Sequence, residues 1–145
     1  MEMLSNASKY AINAVLFLAL NTNLERKVGA KEIAENINVP LPFLAKLLQE
    51  LARKGVISSS KGPTGGFFLT EENKAQKLVV VIDEIDGLLK LEQCVLGLNE
   101  CNSSKPCPIH EMVQPLRRKF LSELNTNSIG AFAKNVEEGK AFLTI

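Results

Sequence analysis

The chain has 145 residues and a formal net charge of +1, with 46% hydrophobic and 23% charged residues. These are ordinary values for a globular protein and exclude wholesale disorder. The longest apolar run, Tyr10 to Leu20, is shorter than the about 20 residues that a membrane span needs. No signal peptide is recognisable at the start. We therefore expect a cytoplasmic protein that does not enter a membrane.

The small net charge conceals an asymmetry between the two halves of the chain. Residues 1–77 carry ten Lys or Arg against seven Asp or Glu, whereas residues 78–145 carry seven against nine. The first half is therefore mildly basic and the second mildly acidic. This difference indicates that the first half is the part that meets phosphate groups.

The first half begins with patterns typical of helices. Met3 to Leu20 predicts a mostly buried helix with a wide apolar face, and shorter helices follow at Gly29–Asn36 and Leu41–Lys54, separated by a break at Pro40. The last of these has an apolar stripe and a polar, basic outer face that carries Pro42, Lys46, Gln49 and Arg53. Two helices joined by a tight turn are typical of a helix-turn-helix, although an αα-hairpin that merely packs shows the same pattern.

A predicted β-hairpin follows directly. Val56–Ser60 and Phe67–Leu69 favour strands, and the glycine-rich segment 61–66 between them favours a turn with a basic tip at Lys61. This order of elements is that of a winged helix-turn-helix. Glycines at the tip allow the backbone to approach a phosphate backbone closely, but they are equally consistent with a tight turn alone.

The second half is less regular at its start. Glu71–Lys77 predicts a helix, Leu78–Asp86 fits either a strand or a helix, and Leu88–Leu91 predicts a short strand. A long amphipathic helix is predicted from Pro108, with Cys107 as its cap, to Asn125. Its apolar stripe has too little of this small chain to pack against, which indicates a dimer partner. The tail, Ser128–Ile145, predicts a further helix.

The segment before the long helix contains every cysteine of the chain and its only histidine. Cys94, Cys101, Cys107 and His110 have the spacing C-x6-C-x5-C-x2-H. Thiolates and a neutral imidazole are ligands for iron–sulfur clusters and for zinc. The gaps are wider than the close cysteine pairs of structural zinc sites and favour a larger inorganic core. A zinc site, a thiol switch without metal and an ordinary cysteine-containing loop remain open at this point.

These motifs together resemble the IscR/NsrR family of bacterial winged-helix transcription regulators, which sense iron–sulfur status, redox stress or nitric oxide. The resemblance extends from about Leu4 to Leu124. The segments that carry it are Leu4-Ser5, Lys9-Tyr10-Ala11, Glu32-Ile33-Ala34, Phe43-Leu44 with Leu51, Gly55-Val56-Ile57 with Ser59, the hairpin 61–69, the three cysteines and Cys107-Pro108-Ile109-His110.

The resemblance implies a homodimer crossed through the long helix and a cluster held beside it by the three cysteines. In IscR-like members a histidine three residues after the last cysteine is the fourth ligand, and His110 occupies that position. NsrR-like members take the fourth ligand from near the N-terminus, where the segment 6–9 of this chain has no carboxylate. The resemblance therefore favours His110.

The chain departs from the family pattern at three places. Lys61 replaces the arginine of the hairpin and loses its bidentate geometry. Ala45 replaces a common glutamate, so the family's operator preference does not transfer. The first cysteine gap is one residue longer than in typical IscR, which leaves both cluster types open; we favour [2Fe–2S] over [4Fe–4S].

The sequence thus predicts a mainly α fold with a small β-hairpin, in which a winged helix-turn-helix spans residues 1–77 and the cluster loop with a dimerisation helix spans 78–145. The predicted function is that of a dimeric regulator, and not an enzyme, that binds double-stranded operator DNA under the control of an iron–sulfur cluster. The alternative is a metal-free, thiol-based redox regulator. The predicted DNA-contacting residues are Lys9, Lys31, Pro42, Lys46, Gln49, Arg53, Lys61, Gly65 and Gly66.

Overall fold

The computed structural model describes residues 3–99 and 101–143. Within these ranges the chain is mainly helical, with one two-stranded antiparallel sheet, as the sequence predicts. The elements are α1 (Asn6–Asn21), α2 (Ala30–Ile37), α3 (Leu41–Arg53), β1 (Ser58–Ser60), β2 (Gly66–Phe68), α4 (Glu71–Ala75), α5 (Val79–Ile85), a 3-10 helix (Leu88–Glu92), α6 (His110–Thr126) and α7 (Ile129–Glu137). None of these helices is long and apolar enough to cross a membrane.

Helix α1 is the centre of the fold. Ser5 caps its N-terminus by accepting a hydrogen bond from the backbone N–H of Ser8, which satisfies a donor that the first turn leaves unpaired. Its apolar side chains are buried on a wide face, as predicted. The helix packs against α2 and α3, which belong to the first half of the chain, and against α5 and α7, which belong to the second half.

The helix-turn-helix consists of α2 and α3. Asn38 adopts the left-handed conformation with φ 56°, which asparagine tolerates better than most residues, and Pro40 then precedes α3. The predicted stripe of α3 is buried and faces the core: Leu44, Leu47, Leu48 and Leu51. Burying this stripe leaves the opposite face of α3 to solvent.

The predicted hairpin forms directly after α3. Ser58 pairs with Phe68 and Ser60 pairs with Gly66, so the paired segment begins two residues later than predicted. Val56 and Ile57, just before it, are buried in the core. An isolated bridge between Val28 and Phe67 ties the hairpin to the segment before α2.

Several predicted elements of the second half differ in the structure. The ambiguous segment 78–86 is the helix α5. The prediction of a strand at Leu88–Leu91 is wrong, because this segment is a 3-10 helix in which Leu91 is buried. A strand needs a neighbouring strand to satisfy its backbone hydrogen-bonding groups. The strands in the described part of the chain, β1 and β2, pair with each other and not with this segment.

The C-terminal helices are shorter than predicted. Helix α6 begins at His110 with Ile109 as its N-cap, so Pro108 lies in the preceding turn. Helix α7 ends at Glu137, followed by Gly139 at φ 76°; the last two residues of the predicted tail helix lie outside the described residues. Pro115, which the sequence reading overlooked, lies inside α6.

One hydrophobic core joins the two halves. It contains side chains of α1 and α3 together with Val81 and Ile82 of α5, Leu124 of α6 and Ile129 of α7. The division of the chain into two domains at residue 77 therefore remains a prediction. The packing shows that α1 contacts helices on both sides of this boundary.

Candidate functional site

The outer face of α3 presents the predicted DNA-contacting side chains. Pro42, Lys46, Gln49 and Arg53 are all exposed. Their spacing of four, three and four residues places them on one side of the helix. This side is opposite the buried leucines, so the side chains are held outward by the packing of the same helix.

Helix α3 and the hairpin form a common groove. Gln49 and Arg53 from α3 line it together with Ser59, Lys61 and Gly66 from the hairpin. The fold thus brings together basic and amide side chains that are separated by up to 12 residues in sequence. Lys9 on α1 and Lys31 on α2 are also exposed but do not line this groove.

The two hairpin glycines have a structural requirement of their own. A Cβ atom at Gly65 would lie 2.4 Å from the Ser60 carbonyl oxygen, and one at Gly66 would lie 2.8 Å from the Val28 carbonyl oxygen. Gly66 also has φ 150°, which favours glycine. Both residues are therefore needed to close the hairpin, whether or not their backbone also approaches DNA.

The three cysteines and His110 surround one small cavity at the start of α6. Cys101 Sγ lies 3.6 Å from His110 Nδ1, and the His110 backbone N–H donates to the Cys107 carbonyl oxygen at 3.0 Å. The His110 side chain is buried, whereas the cysteines are half-buried. The structure thus assembles all four predicted ligands around a shared space.

The Cys94 thiol accepts hydrogen bonds from its own turn. The backbone N–H of Leu98 lowers the pKa of Cys94 most, and partial burial opposes it. The N–H groups of Leu96 and Gly97 and the side chain of Cys107 act in the same direction as Leu98, so the pKa of this thiol lies below its usual value. Donors of this kind stabilise a thiolate, which is the form that binds metal.

The donor set has the ligand chemistry of an iron–sulfur cluster. Among residues 3–99 and 101–143, no group of three or more His, Cys, Asp or Glu side chains is arranged to hold one metal ion. The same donors nevertheless line one cavity, and three thiolates with an imidazole are within the ligand chemistry of such clusters.

Arg117 of α6 is a residue of this site that the sequence reading missed. Its side chain lines the cysteine cavity and donates a hydrogen bond to the backbone carbonyl oxygen of Gln93, next to Cys94. Only 8% of the residue is exposed. Its position seven residues after His110, two turns along one helix face, was the signal that could have indicated it.

Asp86 connects the start of α1 to the segment that leads into the cysteine loop. Its carboxylate accepts hydrogen bonds from the Ser5 hydroxyl at 2.6 Å, the Ser8 hydroxyl at 2.8 Å and the Ser5 backbone N–H at 3.2 Å. Partial burial raises the pKa of Asp86, but these bonds and the charge of Lys90 outweigh it, so the pKa lies below its usual value. The sequence reading missed this contact because the partners are about 80 residues apart.

Apolar side chains are exposed beside the cysteine cavity. Met112 and Leu116 on α6 are 72% and 64% exposed, and Leu96 and Leu98 of the loop are also exposed. Of the apolar stripe predicted for the long helix, only Leu124 is fully buried. This surface is where the predicted dimer contact would lie.

Comparison with known proteins establishes the family. The profile of the Rrf2 family, described as "Iron-dependent Transcriptional regulator", matches residues 4–135. The chain belongs to the Rrf2 family. An Aquifex aeolicus protein provisionally named as an HTH-type transcriptional regulator is 34% identical over 95% of both chains. The regulator IscR of Klebsiella pneumoniae is 28% identical over 92% of this chain and 81% of its own length.

Solved structures show the same fold. CymR of B. subtilis, titled a global cysteine regulator, has a TM-score of 0.72 at 21% identity and covers 92% of this chain and 98% of its own. IscR of T. potens has a TM-score of 0.68 at 21% identity, with 95% and 90% covered. The chain is thus a DNA-binding transcriptional regulator of the Rrf2 family, and the prediction of a regulator instead of an enzyme is confirmed.

Proposed function

We propose that this Rrf2-family regulator binds DNA under the control of an iron–sulfur cluster. The observation that carries the proposal is the convergence of Cys94, Cys101, Cys107 and His110 on one cavity. These four residues would hold the cluster, whose contribution is to change charge or disassemble in response to redox conditions, nitric oxide or iron–sulfur supply. The family description as iron-dependent supports this proposal.

A [2Fe–2S] cluster is favoured over [4Fe–4S]. Histidine replaces cysteine on one iron of known [2Fe–2S] centres, and His110 is buried with Nδ1 directed toward Cys101. Replacing His110 with Ala should make the cluster more labile and change its visible spectrum. An unchanged spectrum would remove His110 from the ligand set.

DNA would be read by the groove between α3 and the hairpin. Lys46, Gln49 and Arg53 would reach base edges in the major groove, with Pro42 beside them at the start of the helix. Lys61, with the backbone of Gly65 and Gly66, would lie against the minor groove or the adjacent phosphates. Lys9 and Lys31 would contact phosphates, which fix the position of the protein without specifying sequence.

A homodimer would present two recognition helices to the two halves of an operator. The exposed apolar surface of α6 would be covered by a second copy. If loss of the cluster moves the cysteine loop, this movement would be transmitted to α1 through the 3-10 helix and through the hydrogen bonds of Asp86 with Ser5 and Ser8. The separation of the two α3 helices relative to one turn of DNA would then change.

The decisive experiment is anaerobic purification of the full chain with iron and sulfide assays and a visible spectrum. Roughly equal iron and sulfide with visible absorbance support the proposal. The same assay on Cys101→Ser should show loss of both, since one ligand is removed. A colourless wild-type protein that folds and binds DNA would overturn the proposal that the chain holds a cluster.

DNA binding by the cluster-loaded and cluster-free chain is measured separately at several salt concentrations. A protein with 6–10 phosphate contacts loses roughly 10³- to 10⁵-fold in affinity between 50 and 200 mM salt. A steep slope in either form supports the proposed surface, and a flat response in both would contradict it. A difference between the two forms at fixed salt would support control by the cluster.

A metal-free thiol regulator is the second candidate, favoured by the position of Cys94 and Cys107 on one cavity, where the Cys107 side chain lowers the pKa of Cys94. These two thiols could form a disulfide, losing two protons and two electrons to a peroxide. Counting alkylated cysteines before and after peroxide treatment of the metal-free chain tests this. Loss of two free thiols together with a change in DNA affinity would favour it.

A further inference from the structure

Arg117 is a buried cation without a carboxylate partner in the described part of the chain. Only 8% of the residue is exposed, and its one hydrogen bond goes to the neutral carbonyl group of Gln93. Across the described ranges, no carboxylate lies within ion-pair distance of it. Burying a guanidinium is costly unless a negative charge compensates it, so its position calls for an anion nearby.

The thiol groups of the loop, once deprotonated, can supply this charge beside Arg117. Arg117 lines the same cavity as Cys94, Cys101 and Cys107. It also lines the adjoining cavity with Cys101 and with Glu92, an exposed carboxylate that forms no ion pair with Arg117. Cysteines that bind a metal do so as thiolates, so the bound state would place several negative charges beside one fixed positive charge.

We propose that Arg117 is a positioning residue for the cluster, an inference that rests on the proposed function. Its guanidinium compensates the negative charge of the thiolate ligands, and its hydrogen bond to the Gln93 carbonyl oxygen holds the start of the loop so that Cys94 faces the cavity. Residues that orient and compensate metal ligands without touching the metal commonly change metal affinity when they are replaced.

The charge of Arg117, unlike its hydrogen bond to Gln93, should affect the reduction potential of the cluster. A cluster held by three thiolates is anionic and gains one further negative charge on reduction. A fixed positive charge nearby stabilises the reduced form more than the oxidised form, and therefore raises the reduction potential. Removing the charge should lower the potential, whereas removing the hydrogen bond alone should mainly loosen the loop.

Three variants of the full chain, reconstituted anaerobically, separate these effects. Arg117→Gln removes the charge and Arg117→Lys retains it. Lys119→Gln is the matched control, because Lys119 is an exposed cation of the same helix and lines neither the cysteine cavity nor the adjoining one. The measurements are the reduction potential followed by visible absorbance, iron retention against a chelator and the unfolding midpoint of the metal-free chain.

We expect Arg117→Gln to lower iron affinity roughly 10- to 100-fold and to shift the potential downward. Arg117→Lys should keep a potential close to that of the wild type, and Lys119→Gln should match the wild type in both properties. If Arg117→Gln does not fold, Arg117→Lys decides: a retained potential supports the inference and a clear downward shift overturns it.

Wild-type potential and iron retention in a folded Arg117→Gln variant would overturn the role of Arg117 while leaving the cluster intact. Failure of the wild-type chain to assemble a cluster would instead overturn the proposed function, and this inference with it. The two failures are distinguishable, since the second is seen before any variant is made.

Discussion

The helix-turn-helix with its hairpin and the cysteine loop are stabilised in different ways. Leu48 and Leu51 of α3 are completely buried, and the hairpin is joined to the segment before α2 by backbone hydrogen bonds. The described part of the loop between Gln93 and Ile109 contains no helix or strand, and it leaves Leu96 and Leu98 about half exposed. The first region is packed into the common core, and the described part of the loop leaves its leucines largely in solvent.

This difference matches the two tasks, DNA binding and sensing, that the proposed function assigns to the chain. A surface that reads DNA must hold its side chains in a constant arrangement, which a packed core provides. A sensing segment must respond to a ligand, and such segments come from the least stable parts of a fold. The Arg117–Gln93 hydrogen bond and the Cys101–His110 contact join the described part of the loop to α6. Asp86 joins the segment before the loop to α1.

Hydrogen exchange should show the largest contrast between the two regions. Amides of α3 in the metal-free chain should exchange only through near-global unfolding, which typically costs about 5–15 kcal/mol. Amides of residues 95–99 and 101–105 should open at a small fraction of this cost. Mass spectrometry of peptides from both regions measures this, and equal protection would refute the contrast. Cluster loading should slow exchange in the loop and leave α3 unchanged.

Leu48→Ala should destabilise the chain by about 2–5 kcal/mol, because it opens a cavity in a fully buried site. Leu98→Ala is the same chemical change at a residue that is 54% exposed, and should cost at most about 0.5 kcal/mol. Urea unfolding of the metal-free variants compares them. A comparable loss in both would show that the loop is packed as well as α3 is.

Asp86→Asn should lower stability at neutral pH by roughly 1–3 kcal/mol, since it weakens hydrogen bonds to a charged acceptor. The folded-state pKa of Asp86 is below its usual value. The carboxylate therefore stabilises the fold above its unfolded pKa of about 3.9, and the contribution is lost as the pH falls through the folded pKa.

The pH dependence of unfolding for Asp86→Asn, compared with the wild type, tests the link between α1 and the loop. Asp83→Asn is the control, because Asp83 is an exposed carboxylate of the same helix. The difference between Asp86→Asn and the wild type should shrink in acid. A difference that stays constant to low pH would assign the effect to packing and not to the charge.

Lys61→Ala should have the smallest effect, a weakening of DNA binding that is similar for all sequences. Each phosphate contact that is lost should reduce the slope of log affinity against log salt by about 1. Lys105→Ala removes the same charge from the exposed part of the cysteine loop. Salt titrations of DNA binding should show a reduced slope for Lys61→Ala alone. Equal reductions would place the loop at the DNA as well.

Local patterns were sufficient to predict the first half of the fold. The spacing of the leucines in α3, Pro40 before it and the glycines at 62, 65 and 66 each reflect interactions within a few residues. The family resemblance rested on the same segments. The sequence also predicted that the candidate ligands lie in a loop that leads into a long helix, although this helix begins at His110 and not at Pro108.

The sequence by itself therefore determined the winged helix-turn-helix and the set of residues available to bind a cluster. Only the tertiary structure decided that segment 88–92 is a 3-10 helix, that Asp86 joins Ser5 and Ser8, and that Arg117 is buried beside the cysteines. Helical periodicity and turn preferences depend on neighbours in sequence, so the sequence shows them. Strand pairing, burial and charge compensation depend on neighbours in space, which exist only after the core has formed around α1.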